Sequence, residues 1–326
     1  MRAAIVEAFG PVDGITLKDM PKPEPKGGEI RIAVKAAGVG FVDALIAEGR
    51  YQVKPPLPFA PGGEYAGVVD AVGDGVTALK AGDRVIAGGL SGGFAEYAVT
   101  NAAGVLAIPD AMSFAQAAMF RTNFATALHA FQDRAALDAG ETVLVLGAGG
   151  GTGTAAIAVA KIMGARVIGA ASSADKRDAA KAAGADEVVD SSAADWREAL
   201  KALAPKGIDV VFDPVGGAVT ETAFRSLAWK GRHLVIGFAA GSIPALPVNL
   251  ALLKGASLIG VDIARFSFLH EPAAAQANIR QLLGWFAAGK LALEPGRVMR
   301  LDDAAAALKA VLDRQAIGKI VLSLGN

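Results

Sequence analysis

Two different hydrophobic patterns divide the chain near residue 122. Before that point, short segments rich in Val and Ile, such as 29–39 and 65–73, are separated by clusters of Gly and Pro, as at 55–56 and 61–63. Short segments of this kind with regular turn signals are typical of β-strands in a small barrel or sandwich. We therefore expect the first part of the chain to be rich in β-structure.

After residue 122, short apolar runs alternate with Ala-rich helical segments. The apolar segments lie at 142–147, 165–170, 186–190, 208–214 and 232–238. Strands that are apolar throughout are buried on both faces, and their alternation with helices indicates βαβ units around a parallel sheet. The pattern predicts a doubly wound α/β domain, then helices within 275–313 and a last strand at 319–324.

The composition is that of a folded protein without a nucleic-acid or membrane signature. Of 326 residues, 53% are hydrophobic and 20% are charged, and 32 basic side chains balance 32 acidic ones. No basic excess favours nucleic acid or an anionic membrane surface. The N-terminal stretch lacks the apolar core of a signal peptide, and no apolar run reaches the about 18 residues of a membrane span, so we expect a cytoplasmic protein.

The chain has no cysteine and three histidines, His129, His233 and His270. The absence of cysteine excludes disulfides, thiolate catalysis and Cys-ligated zinc. Three scattered histidines do not form a metal-binding motif, so the sequence predicts no metal site.

The strongest site signal is the glycine-rich stretch 147–153, which follows an apolar strand and opens a helix. Its spacing matches the dinucleotide-binding fingerprint with Ala148 in the first place. Glycines let the backbone approach a pyrophosphate, and a helix N-terminus offers it free N–H groups. We expect Gly150, Gly151 and Thr152 to bind a dinucleotide; the alternative is a glycine-rich turn of purely steric origin.

The end of the second predicted α/β strand bears on the choice of cofactor. NAD-binding domains usually place Asp or Glu there to bind the ribose 2′-OH, whereas this chain has Ala171. Hydroxyls and cations follow at Ser172, Ser173, Lys176 and Arg177, and such donors suit an adenosine 2′-phosphate. We predict NADPH as the cofactor, with Ser172, Ser173 and Lys176 at its phosphate; the alternative for the two cations is a solvated helix face.

Over nearly its whole length the sequence resembles the medium-chain dehydrogenase/reductase family, and in particular its quinone oxidoreductase branch. The matching stretches are 36–51, 56–85, 120–131, 147–153, 212–217, 231–249 and 318–322. The resemblance implies a GroES-like catalytic domain of residues 1–121 completed by 266–326, a Rossmann NADP-binding domain of residues 122–265, and an active site in the cleft. It also implies hydride transfer from NADPH to a quinone or to the β-carbon of an α,β-unsaturated carbonyl.

Zinc-dependent members of that family carry Cys and His ligands where this chain has Gly40 and Gly63, and only Glu64 remains. Because a catalytic zinc needs three protein ligands, the resemblance implies a zinc-free enzyme. The chain also departs from many quinone reductases, which have Asn at the position of Gly40 and Tyr, beside the adenosine, at that of Ser191.

The resemblance transfers further cofactor contacts to this chain. Thr126 would lie by the nicotinamide and Ser191 by the adenosine. The others lie in the loops after the fourth and fifth strands and near the C-terminus: Val215, Gly237, Phe238, Ala239 and Arg314.

The oxyanion that develops during reduction needs a hydrogen-bond donor, and the candidates are Tyr51, Arg121, Thr126 and His129. We expect Tyr51 and Thr126 to be the catalytic residues, since members of this family often have a tyrosine at the position of Tyr51, at the edge of the cleft. Each of three candidates has a structural alternative. Tyr51 could be an exposed aromatic residue, Arg121 could pair with a backbone carbonyl, and His129 could be a packed residue without a catalytic role.

Two other functions stay open. One is the reduction of a 2-enoyl thioester such as an acyl-CoA, and the other is cofactor binding without catalysis. We further expect a small-molecule substrate and a homodimer, with an edge strand in 256–263 as the place where two subunits pair.

Overall fold

The structure is a computed structural model that describes residues 1–325. It divides into two compact units, one of residues 1–122 together with the chain from Leu293 onward, the other of residues 123–292. The chain thus returns to the first unit at 293, later than the expected 266, because the helix Pro272–Ala287 packs within the second unit, where Asn278 donates to Asp133 at 2.7 Å.

The first unit is built on a seven-stranded sheet and a two-stranded ribbon. With strands numbered in chain order, its elements are β1 Arg2–Ile5, β2 Thr16–Asp19, β3 Glu29–Val39, α1 Phe41–Ala47, β4 Glu64–Val72, β5 Arg84–Gly88, β6 Tyr97–Asn101, β7 Leu106–Ala107, α2 Phe114–Ala117, β14 Arg297–Arg300, α11 Ala304–Leu312 and β15 Ile320–Ser323. The sheet has the order β14-β15-β3-β4-β5-β7, with β6 also paired to β3, and all its pairs are antiparallel except β14 with β15. This is the β-rich, GroES-like part that the sequence predicted, and the prediction is confirmed.

The C-terminal segment completes the core of the first unit. Leu308 of α11 and Leu322 of β15 are fully buried in the same cluster as Ile30 and Ile32 of β3. In the middle of β3, Ile32 and Val34 are buried while Lys35 is exposed, as expected where one face of a strand packs on the core, and from Ala36 to Val39 every residue is buried.

The second unit is built on a six-stranded parallel sheet. Its strands are β8 Thr142–Leu146, β9 Arg166–Ala171, β10 Glu187–Asp190, β11 Ile208–Asp213, β12 Leu227–Val235 and β13 Ser257–Gly260. Val143, Leu144 and Val145 have no exposed surface, because helices cover both faces of such a sheet. The predicted Rossmann fold is confirmed.

Helices connect these strands. They are α3 Arg121–Leu128, α4 Gly151–Ile162, α5 Ala174–Ala182, α6 Trp196–Leu203, α7 Val219–Arg225, α8 Asn249–Lys254, α9 Ile263–Arg265 and α10 Pro272–Ala287. Two π-helical segments extend them, His129–Arg134 after α3 and Phe266–His270 after α9. Among the described residues, no helix is both long and apolar enough to cross a membrane.

Candidate active site

The strand order of the parallel sheet creates a crevice at its carboxyl edge. The chain runs from β8 outward to β9 and β10, then crosses to β11 on the other side of β8 and continues to β12 and β13. At such a reversal the loops after two neighbouring strands leave in opposite directions, and ligands bind between them. The loops after β8 and β11 therefore frame the candidate site.

The glycine-rich loop joins β8 to α4. Gly150 is the N-cap of α4, with φ −87° and ψ 169°, and a Cβ there would meet nothing closer than Gly147 O at 3.5 Å. A Cβ on Gly153, in contrast, would lie 2.3 Å from that same oxygen. No described residue accepts a hydrogen bond from the N–H groups of Gly151 or Thr152. The loop therefore combines open space with free donors at a helix N-terminus, and both features fit the pyrophosphate of a dinucleotide.

The residues expected at the adenosine phosphate gather at the end of β9. Its last residue, Ala171, is 3% exposed and pairs with Asp190 of β10. Ser173 is the N-cap of α5 and its side chain makes no capping hydrogen bond. Lys176 packs on the glycine loop, since a Cβ on Gly149 would lie 2.6 Å from Lys176 Cα. The loop and the expected phosphate contacts are therefore neighbours.

Two serines complete this group. Ser191 N donates to Ala171 O at 3.2 Å, and Ser192 Oγ donates to Ser172 O at 3.3 Å. The structure thus brings the ends of β9 and β10 together around Ala171, as their parallel pairing requires.

Arg177 and Asp190 form an ion pair at the ends of β9 and β10, and this pair was not predicted from the sequence. Arg177 lies 2.9 Å from Asp190 Oδ2 and donates to Ala171 O at 3.3 Å. Ser192 donates to Asp190 Oδ1 through its hydroxyl at 2.6 Å and its N–H at 2.9 Å. The hydrogen bonds from Ser192, with Arg177 beside them, lower the pKa of Asp190. Arg177 is thus bound to a protein carboxylate, and the signal that could have revealed it is the acid that ends β10.

Asp213, at the end of β11, organises the opposite side of the crevice. One carboxylate oxygen accepts from Val215 N at 2.9 Å and Gly216 N at 2.8 Å, and the other from Thr220 Oγ1 at 2.7 Å. That second oxygen also lies 3.1 Å from His233 Nε2. Burial alone would raise the pKa of Asp213, but the hydrogen bonds from His233, Gly216 and Thr220 outweigh it and lower the pKa. Neither Asp213 nor His233 was expected to have a role.

The turn after β12 is attached to the same loop. Gly237 N donates to Asp213 O at 3.3 Å, and Ala239 N donates to Pro214 O at 3.1 Å. Phe238 between them is 37% exposed. The structure therefore joins the two loops that were expected to follow the cofactor on this side.

Thr126 lies on α3 and is 5% exposed. One turn before it, Asn123 Oδ1 accepts a hydrogen bond from Thr152 Oγ1 at 3.3 Å. This contact brings the first turn of α3 to the glycine loop.

The other expected residues belong to the first unit. Tyr51 is half-buried and packs against the core that contains Phe59. Arg314 follows α11 in a left-handed conformation, with φ 56°. Arg121 is largely buried and donates to Gly104 O at 2.6 Å, which is the carbonyl alternative considered for it. Tyr51 and Arg314 thus belong to the first unit and not to the loops after β8, β11 and β12 of the second unit.

The positions of the family's zinc ligands hold a network of hydrogen bonds and charges. The N–H groups of Gly40 and Gly63 donate to Asp43 at 2.7 and 2.8 Å, and burial raises the pKa of Asp43. Glu64 Oε2 lies 3.2 Å from Lys319 Nζ, and the two side chains are 3% and 5% exposed. A buried ammonium thus stands beside the one remaining carboxylate. These residues do not fit zinc, and in residues 1–325 no group of three His, Asp or Glu side chains could hold a metal.

Comparison with known proteins agrees with this architecture. The model of the alcohol dehydrogenase GroES-like domain matches residues 26–110, and that of the zinc-binding dehydrogenase matches residues 151–284. The chain is 39% identical to quinone oxidoreductase-like protein 2 of Rattus norvegicus over 305 residues, which are 93% of this chain and 87% of the relative.

Solved structures are similar over the full length. A mycobacterial protein in complex with NADPH superposes with a TM-score of 0.91 at 29% identity, covering 99% of this chain and 100% of that one. The CurK enoyl reductase superposes with a TM-score of 0.89 at 27% identity, covering 99% of each chain.

Proposed function

This chain belongs to the medium-chain dehydrogenase/reductase family, in its quinone oxidoreductase branch, and we propose that it reduces quinones or α,β-unsaturated carbonyls with NADPH and without zinc. The observation that carries the proposal is the combination of an open glycine loop with a second strand that ends in Ala171. The first unit is the catalytic domain in this proposal, and the second is the NADP-binding domain.

Donors of the second unit hold the cofactor in this proposal. Gly150, Gly151 and Thr152 bind the pyrophosphate, because backbone N–H groups at a helix N-terminus suit a dianion. Ser172, Ser173 and Lys176 bind the 2′-phosphate, and Ser191 lies beside the adenosine. The remaining contacts, along the nicotinamide half, are Thr126, Val215, Gly237, Phe238, Ala239 and, from the first unit, Arg314.

When bound, the nicotinamide supplies a hydride, and the protein supplies position and hydrogen bonds. We propose Thr126 as a donor near the reacting atoms and Tyr51 as a second donor from the first unit. A carbonyl conjugated to a C=C bond or to a second carbonyl spreads its developing charge, so hydrogen bonds can replace a metal.

Zinc independence is supported by the contacts of the Glu64 carboxylate. Its oxygen Oε2 is paired with Lys319, and a divalent cation would have to displace that ammonium. Gly40 and Gly63 bring no side-chain ligand, and both oxygens of Asp43 already accept hydrogen bonds from their N–H groups, so three protein ligands for zinc are lacking.

Reduction of a 2-enoyl thioester is the second candidate activity, and the similarity to the CurK enoyl reductase favours it. The chemistry at the double bond would be the same, and the difference lies in recognition of the thioester carrier. The third candidate, cofactor binding without catalysis, predicts affinity for NADPH without turnover.

We also propose a homodimer that forms through β13. This strand ends the sheet, and its outer edge has no partner strand within residues 1–325. Leu258 on β13 is 52% exposed and Trp229 on the neighbouring β12 is 70% exposed. An open edge with exposed apolar side chains favours pairing with a second copy.

Steady-state oxidation of NADPH and NADH tests these alternatives with 1,4-benzoquinone, trans-2-hexenal and crotonyl-CoA as acceptors. We expect turnover with the quinone or the enal and a preference for NADPH of at least about tenfold in kcat/KM. Turnover restricted to crotonyl-CoA would favour the thioester reductase. Cofactor binding without turnover on any acceptor would favour the non-enzymatic protein.

A further inference from the structure

Two π-helical segments of the second unit meet through a histidine. His129 begins the segment after α3, and Phe266 begins the segment after α9. Their rings are stacked, with centroids 3.7 Å apart and planes inclined by 16°. π-helical turns are rare, and when they occur they are frequently found at functional sites.

A carboxylate holds the His129 ring from one side. Its Nδ1 lies 2.8 Å from Asp133 Oδ2, and that oxygen also accepts from Asn278 Nδ2 of α10 at 2.7 Å. Gln132 donates to Asn278 Oδ1 at 3.3 Å, which fixes the orientation of the amide. A carboxylate at Nδ1 keeps a proton on that nitrogen, so Nε2 is the atom left for other partners.

The other ring nitrogen is free. His129 Nε2 has no hydrogen-bond partner in residues 1–325, and it is not among the unpartnered atoms that are sealed from solvent. Asp133 is the one charged group within the described chain that hydrogen bonds the ring; α10 contributes the uncharged Asn278, and the second π-helical segment contributes Phe266. A leucine could fill this space without burying an imidazole or ordering a carboxylate, so packing alone does not explain the arrangement.

The helix that carries His129 crosses the carboxyl edge of the sheet. At its start, Asn123 is bonded to Thr152 of the glycine loop. At its end, Arg134 Nε donates to the carbonyl of Gly260, the last residue of β13, at 3.2 Å. The helical path between these ends is roughly 17 Å at about 1.5 Å per residue, and the three strand spacings from β8 to β13 amount to roughly 14 Å. The helix therefore spans the sheet edge from the glycine loop to β13.

His129 occupies the middle of this path. Its neighbour Phe131 packs on Phe212 near the end of β11, with ring centroids 5.3 Å apart. Thr126, proposed for the nicotinamide end of the cofactor, precedes His129 by three positions and shares its helix face. The sequence spacing thus puts His129 one helical turn beyond Thr126, and in the proposed function that is the half of the helix nearer the nicotinamide.

We infer that His129 is the proton donor of the reduction, with Asp133 as the residue that positions it; the inference rests on the proposed function. A bound reduced nicotinamide would supply a hydride with its electron pair, and the π electrons of the enone or quinone would move onto the carbonyl oxygen. The Nε2–H bond of the imidazolium breaks, its electrons stay on nitrogen, and the proton forms the O–H bond of the enol or hydroquinone. The imidazole then takes a proton from solvent through the accessible Nε2.

The first test needs no activity. The protein has three histidines, so two-bond ¹H–¹⁵N NMR spectra of the cofactor-free protein can be assigned with His129→Gln, His233→Gln and His270→Gln. We expect neutral His129 as the Nδ1–H tautomer, and we expect Asp133→Asn to weaken that preference. A proton on Nε2 of neutral His129 would contradict the proposed pairing of His129 with Asp133.

The second test is the pH dependence of kcat in the full-length enzyme. We expect His129→Gln to lower kcat by about 10²–10⁴-fold and to abolish the fall in rate that accompanies loss of the imidazole proton as pH rises. The dissociation constant for NADPH should not change, because His129 acts on the substrate oxygen. Asp133→Asn should retain the imidazole and lose less, and the exposed His270→Gln is the matched control.

Three outcomes decide the inference. A wild-type protein that reduces none of the acceptors overturns both the proposed function and this inference. An active wild type with unchanged kcat and pH profile in His129→Gln overturns only the proton donor. Equal loss of kcat, thermal stability and NADPH affinity in both His129→Gln and Asp133→Asn would show that His129 and Asp133 have a structural role, and this result would also overturn the inference.

Discussion

Two glycines of the same loop should respond to one added methyl group in different ways. At Gly150 a Cβ would make only an ordinary contact, 3.5 Å from Gly147 O, and the φ of −87° suits any residue. At Gly153 the Cβ would lie 2.3 Å from that oxygen and 2.7 Å from Ala148 Cα, so the backbone would have to move. Gly150→Ala therefore tests the cofactor site and Gly153→Ala tests the fold.

The magnitudes follow from these distances. Gly→Ala at a compatible conformation stabilises by about 0.4–1 kcal/mol through the unfolded state, while Ala is the poorer N-cap by about the same amount, so the Tm of Gly150→Ala should barely change. Its methyl group would occupy the space of the pyrophosphate. Loss of one charge-assisted hydrogen bond costs about 1.5–3 kcal/mol, which is about a 10–150-fold rise in Kd. Overpacking at Gly153 should cost about 1–3 kcal/mol of folding stability or more.

Fluorescence titration with NADPH and thermal unfolding without cofactor measure the two quantities on the same samples. We expect Gly150→Ala to lose affinity at unchanged Tm, and Gly153→Ala to lose several degrees of Tm. Wild-type affinity in Gly150→Ala would show that no ligand approaches this loop, and the assignment of the site would fail with it.

Four further outcomes are expected. Lys176→Ala should lower kcat/KM for NADPH at least about tenfold and leave kcat/KM for NADH nearly unchanged. Ala171→Asp should move the preference toward NADH. Equal effects of Lys176→Ala on both cofactors would indicate that Lys176 is only a solvated helix residue. Elemental analysis should find no stoichiometric zinc, and activity should survive a chelator. Asp213→Asn should destabilise the protein by about 3 kcal/mol at neutral pH; because the folded pKa of Asp213 is lowered, the difference in urea midpoints should persist above the ordinary pKa of 3.8 and vanish as pH falls through the folded value. Leu258→Asp should shift the sedimentation coefficient from dimer to monomer, and an unchanged value would exclude β13 as the interface.

The parallel sheet could be predicted from the sequence because its central strands contain buried apolar runs, such as 143–146 in β8 and 210–212 in β11. The start of β12 could not. It begins at Leu227, before the predicted 232, and its pairing with β11 shifts register between Ile208 and Val210. A bulge of this kind obeys no hydrophobic period, and Lys230 takes a left-handed conformation within it, with φ 64°. The π-helical segments escaped prediction for the same reason, since one extra residue per turn breaks the helical spacing.

The expected site residues were those with a local signal, either a glycine spacing or a position after a strand. The residues that hold them in place have no such signal. Asp213 acts through Val215 N and Gly216 N, and its partner His233 belongs to the next strand. The pairing of Arg177 with Asp190 likewise depends on strand order, because β9 and β10 are neighbours in the sheet. Partners of this kind become visible only when the topology is known.

The charges at the positions of the family's zinc ligands bear on the direction of the reaction. The Lys319 ammonium lies 3.2 Å from Glu64 Oε2, so a positive charge of the protein already stands beside this carboxylate. Oxidation of a simple alcohol requires removal of the proton from a hydroxyl that is far less acidic than a phenol, and a bound metal ion is one group that lowers the pKa of such a hydroxyl strongly. Reduction of a quinone produces a phenolate-like oxygen, whose conjugate acid resembles tyrosine with a pKa of about 10. A hydrogen bond or one proton from an imidazolium suffices for that oxygen. Conjugated acceptors should therefore be reduced far faster than any simple alcohol is oxidised, and comparable rates for the two would contradict this reading of the charge pair.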